Sequence, residues 1–196
     1  MNKKCLFIAM FAMVILAGCN TKKPIIDEVT KYELPLLEQR GPNQITHLIQ
    51  HDGMYRSEQF AANSILVIEP DYYKNREISR GDVVSYKTDA TEEEITNKKR
   101  TEYDVSRVVA LPGETVTVKK GQIYINDRVL DTFYGKEYYT NGFINGTDKA
   151  LNLERPIVLL QGQILLASDV WWRSGFSGPH LKESIRGKVI GWMKSP

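Results

Sequence analysis

The chain has 196 residues, with 26 basic and 24 acidic side chains and a formal charge of +2. That near-neutral balance leaves no electrostatic footprint for nucleic acid. The length suits one domain whose core is large enough to need no staples. At the N-terminus, Lys3 and Lys4 precede an apolar run from Cys5 to Ala17. The run is too short for a comfortable membrane span and sits where a secretory signal stands.

The run ends in Leu16-Ala17-Gly18-Cys19, which resembles the lipobox of bacterial lipoproteins. The resemblance implies a signal peptide over 1–18 and a diacylglyceryl group on Cys19, the new N-terminus. Two acyl chains, each giving roughly 0.8 kcal/mol per buried CH2, anchor stably where one binds only marginally. The alternative is an uncleaved membrane anchor with an incidental cysteine. Cleavage removes two lysines and no acid, leaving 24 basic against 24 acidic residues. With Cys5 gone and Cys19 modified, no disulfide is available. The implied location is extracytoplasmic, tied to the bacterial cell membrane.

Residues 19–41, polar and carrying Pro24 and Pro35, are expected as a tether, and residues 42–196 as a β domain. Strands are expected at ITHLIQ, at SILVIEP, and after the turn Arg80-Gly81-Asp82. TDATEEEITNKKRTEYD has no apolar periodicity and is expected as a solvated loop or hairpin tip. RVVALPGETVTVKKGQIYIND, residues 107–127, alternates between turns at Pro112-Gly113 and Lys120-Gly121, predicting a compact meander. Residues 131–156 are rich in Tyr, Gly and Asn and are expected as an irregular insertion. PIVLLQGQILLAS suggests a hairpin turning at Gln161-Gly162-Gln163, and SIRGKVIGWM a last strand. With no long helical period, the fold class is mainly β, of antiparallel sheets.

Taken in order, these segments resemble the type I signal peptidases, over roughly residues 42–193. Arg107, Leu111, Pro112, Gly113, Glu114, Gly121 and Asn126 match that family's Lys-Arg, Leu-Pro-Gly-Asp/Glu and glycine-bearing strand pair. Arg80-Gly81-Asp82-Val83-Val84 matches its Arg-Gly-Asp box, while Gly178-Pro179 and Ile185-Arg186-Gly187-Lys188 match its ending. The resemblance implies a signal-peptidase-like fold and a serine nucleophile with a buried lysine base, whose amine desolvation frees at neutral pH.

Both catalytic side chains are missing. The nucleophile box reads His51-Asp52-Gly53-Met54-Tyr55-Arg56-Ser57, with Gly53 at the nucleophile position, and Ser106 stands at the base position. In the last box Asp169 and Ser174 remain, but the connection through Trp171 and Trp172 is short. The expectation is a non-catalytic relative whose groove takes an extended peptide or an exported-protein partner as an added strand. Its candidate groove residues are Asp52, Gly53, Met54, Tyr55, Ser106, Arg107, Asp169 and Ser174. A weakly active peptidase using Ser57 or Ser106 is one alternative. A structural lipoprotein with its groove filled by Arg56 and the tryptophans is another. His47, His51 and His180 have no cysteine partner and no H-E-x-x-H helix, so neither metal nor cofactor is expected. Trp171, Trp172 and Phe176 are expected either in a loop packing on the sheet or as an apolar contact for lipid or an extended peptide.

Overall fold

A computed structural model describes residues 22–138 and 153–195. In chain order the strands are β1 (Ile25–Ile26), β2 (Ile45–Leu48), β3 (Ile65–Glu69), β4 (Val83–Lys87), β5 (Tyr103–Ala110) and β6 (Thr115–Lys119). They continue with β7 (Gln122–Ile125), β8 (Arg128–Asp131), β9 (Ile157–Val158), β10 (Gln163–Ala167), β11 (Phe176–Leu181) and β12 (Ile185–Met193). Two short helices, α1 (Glu92–Thr96) and α2 (Trp171–Ser174), interrupt them. One sheet has the order β1-β8-β7-β6-β9 and the other β11-β10-β5-β4-β12-β3-β2. Every strand pair is antiparallel except β1 with β8. The mainly β expectation holds.

Local sequence explains the small sheet. β6 and β7 alternate half-buried and buried residues, so Val116, Val118, Ile123 and Ile125 share one inner face. The β6–β7 and β7–β8 turns each place two residues at positive φ, Lys120-Gly121 and Asn126-Asp127. That backbone twist suits two-residue hairpins. β5 is different: Val105 to Ala110 are all buried, as in a strand covered on both faces.

The expected meander over 107–127 is corrected in one respect. β5 and β6 lie in different sheets, and Leu111–Glu114 crosses between them. The expected hairpin at 161–163 is likewise a second crossing, from β9 in the small sheet to β10 in the large one. The two crossings are bonded together, Gly113 N–H to Leu159 O at 3.0 Å and Leu159 N–H to Glu114 O at 2.9 Å. Local alternation identifies a strand but not its partner. Between the sheets lies a core that includes Val109, Val118, Ile125, Leu165 and Trp171.

The expected tether is also corrected from Lys22 onward. β1 joins the small sheet, and Tyr134 donates its hydroxyl proton to Asp27 Oδ2 at 2.5 Å. Gln59 donates to Tyr32 O at 2.8 Å and accepts from Leu34 N–H at 2.6 Å. Leu37 N–H reaches Trp192 O at 2.8 Å, and Trp192 N–H reaches Pro35 O at 3.0 Å. A Cβ at Gly81, where φ is +88°, would stand 2.1 Å from Thr30 Oγ1, so this strap fits only over glycine. Such side-chain-to-backbone bonds leave no periodic pattern to read.

Two smaller corrections follow. The charged excursion carries α1, opened by Thr91 and Glu94 in a reciprocal capping box. Trp171 and Trp172 begin α2, a short helix where a packing loop or an apolar contact was expected, and Trp171 is buried. The expected insertion is described only over 131–138 and 153–156; its middle, like residues 1–18 and Cys19, lies outside the described residues.

Candidate functional site

The loop after β2 brings the nucleophile box onto β5. Gly53 is buried, donating its N–H to His51 Nδ1 at 3.1 Å and accepting from Val170 N–H at 2.8 Å. His51 Nε2 meets Asp104 Oδ1 at 2.9 Å. Asp104 and Ser106 are two apart on β5 and therefore share a face. Ser106 is buried near Tyr86, whose pKa burial raises. Met54 is a core residue beside Phe60, whereas Tyr55 stays exposed. Asp52 pairs with Arg173 at 3.0 Å on the surface. Ser174 lies in α2, but its side chain is outside the described atoms, as is that of Trp172.

Behind this loop is a buried charge cluster. The Arg107 fork donates to Asp169 at 2.8 Å from Nε and 2.7 Å from Nη2, and Nη1 donates to Gly81 O at 2.8 Å. Burial works to lower the Arg107 pKa, but the Asp169 charge and hydrogen bonds outweigh it and hold it above its ordinary value. Arg56 lies on the other side of Asp169, Nε to Oδ2 at 3.8 Å, and donates to Phe133 O at 2.8 Å. Burial lowers its pKa against the pull of Asp169. Both guanidinium groups lie over the Phe133 ring, at 6.0 Å for Arg56 and 5.0 Å for Arg107. Buried Glu137 lies near the cluster, adds a weak pull on Arg56, and accepts the Trp171 N–H at 3.2 Å. Sequence reading missed Glu137, because nothing in an irregular polar segment marks one acid as interior.

No nucleophile–base pair forms beside Gly53 among the described residues. With Nε2–H directed at Asp104, His51 has its remaining lone pair on Nδ1, already taken by Gly53 N–H. Ser57 precedes a 3-10 turn over Glu58–Phe60, and its buried hydroxyl has no hydrogen-bond partner among the described residues. A Ser–His pair does exist on β11, Ser177 Oγ to His180 Nε2 at 2.8 Å, separate from the nucleophile box. Lys188 is held by Asp82 at 2.5 Å and lies over Tyr72. One open cavity of about 730 Å³ is formed by the N-terminal strap with the Arg80–Val83 turn, and Gly53 does not line it. His47, His51 and His180 do not converge: among the described residues no group of three His, Cys, Asp or Glu side chains gathers as metal ligands.

β5 has one open margin. β10 pairs with it only from Arg107 to Ala110, so among the described residues Tyr103–Ser106 have β4 on one side and no strand on the other. There Val105 N–H is held by Asp104 Oδ1 at 2.7 Å, the oxygen that His51 also contacts.

A mainly antiparallel β fold, a turn at 80–82 that requires glycine, and a loop delivered to the β5 margin are the features to set beside known proteins. The family model "Signal peptidase, peptidase S26" matches residues 45–174, and the chain belongs to that family. A probable signal peptidase I-2 from Synechocystis sp. is 34% identical over 73 residues, which is 37% of this chain and 32% of that protein. The match thus spans about a third of that relative's length. A crystal structure of a signal peptidase I from Enterococcus faecalis V583 overlaps 58% of this chain and 97% of its own, at 20% identity and a TM-score of 0.36. At that score the overlap adds nothing to the assignment.

Proposed function

We propose that the chain is a lipid-anchored, extracytoplasmic family member that binds extended peptide segments and does not cleave them. The observation carrying this reading is the pairing of Gly53 with Ser106 at the two reacting positions, beside a His51 whose nitrogens are both engaged. Nucleophilic cleavage needs an activated side chain and a base within hydrogen-bond reach. Strand addition needs only backbone groups and shallow side-chain seats, and the unpaired margin of β5 at 103–106 offers those. An incoming strand competes with Asp104 for Val105 N–H.

The test incubates the full-length chain with a precursor bearing a signal peptide, and separately measures anisotropy of a fluorescent peptide from that region. The expected result is an intact precursor and saturable binding that weakens in a Val105→Pro chain, which lacks the amide. Cleavage by the wild type, lost in Ser57→Ala or Ser106→Ala, would replace this reading with an enzyme. The structural-lipoprotein reading draws support from buried Arg56 and Trp171. It requires an intact precursor and no saturable binding.

A further inference from the structure

The strap has a consequence for how the domain sits on its membrane. A free tether from Cys19 to Gly41 would let the domain swing tens of ångströms from the surface, since extended chain spans about 3.3–3.6 Å per residue. The chain is instead fastened from Lys22. Lys22 Nζ meets Asp127 at 3.1 Å, and Arg128 donates to Lys23 O at 2.8 Å. β1 then pairs with β8, and Asp27 is held by Tyr134. Three peptide links separate Cys19 from Lys22, a reach of about 11 Å at most.

The outer side of the strap is apolar where its inner side is buried. Ile25 packs on the core, while its neighbour Ile26 is 62% exposed and Val29 is 86% exposed. Tyr32 and Leu36 continue the exposed series. The charges alongside nearly cancel, Lys22, Lys23, Lys31 and Arg128 standing against Glu28, Glu33 and Asp127. Such a surface meets a bilayer by apolar contact and proximity and needs no anionic lipid.

We infer that the Ile26–Val29 side of the strap is a membrane-contact surface, laid on the bilayer by the lipid on Cys19. This rests on the anchoring reading above. The lipid therefore fixes an orientation as well as a location. The strand β4 starts beside the strap, where Gly81 meets Thr30, and runs away from it to the hairpin that carries α1. Five strand residues span about 17 Å, so α1 is held off the surface.

The experiment uses the full chain, purified from membranes and placed in phosphatidylethanolamine–phosphatidylglycerol vesicles containing headgroup-quencher lipid. Cys5 departs with the signal and Cys19 is blocked, so Val29→Cys and Glu93→Cys each offer one thiol to a fluorophore. The expected result is quenching several-fold stronger at position 29 than at position 93, unchanged when phosphatidylglycerol is omitted. Equal quenching at both positions in a chain shown lipidated by mass spectrometry overturns the contact surface and leaves the anchor standing. An unmodified Cys19 overturns the anchor and the contact surface together.

Discussion

The molecule contains two kinds of ion pair a short distance apart, and they have opposite roles. Arg107 and Asp169 are 3% and 2% exposed and joined by two hydrogen bonds, while Arg173 and Asp52 are 46% and 51% exposed and meet as a single ion-pair contact. Water screens the second pair, so its attraction is small. The first has no water to fall back on, so each partner depends on the other. Both pairs lie in family motif segments. One ties β5 to the segment after β10 in the interior, and the other lies on the surface beside Gly53.

The sharpest way to break this comparison is Asp169→Ala. Two guanidinium groups would lose their common carboxylate, and a loss of about 3–5 kcal/mol is expected, read as a shifted urea midpoint. A loss below about 1 kcal/mol would make the buried pair equivalent to a surface one.

Histidines supply an intermediate test. Burial lowers the His47 pKa from 6.5, and the same holds for His180. The unfolded chain then binds more protons than the native one just below pH 6.5, so these groups destabilise as pH falls through that range. His51 is raised, chiefly by its hydrogen bond to Asp104. Its contribution is fully present below about pH 6.5 and is lost as pH rises through the raised value. Between pH 7 and 5, His47→Gln is therefore expected to flatten the fall in urea midpoint and His51→Gln to steepen it. Identical slopes in both variants would remove the distinction between burial and pairing.

The smallest effect is expected from Asp52→Ala. A change within about 0.5 kcal/mol fits an exposed pair. A loss approaching that of Asp169→Ala would show that the rim is as integral as the interior.

Much of the fold was legible because strands announce themselves locally. Alternation in TVTVK and QIYI and the turn pairs Lys120-Gly121 and Asn126-Asp127 required no knowledge of partners. Gly53 and Ser106 were legible as candidate positions because they sit inside recognisable wording. Three features were not. Glu137 is interior only because Arg56 and Trp171 come to it from other segments. α1 was hidden because an exposed single turn has no apolar stripe, although Thr91-x-x-Glu94 was its written signature. The strap was hidden because its bonds run to residues as distant as Asp27 is from Tyr134.

The sequence by itself determined that the chain is mainly β, that it belongs among signal-peptidase-like proteins, and that Gly53 and Ser106 stand in the two motif segments. These follow from residue identity and short-range periodicity, which need no neighbours. Tertiary structure decided which strands share a sheet, that His51 is committed to Asp104 and Gly53, and that residues after Lys22 are docked. Each of these depends on burial and on hydrogen bonds between distant segments, and no local pattern encodes which distant group will arrive.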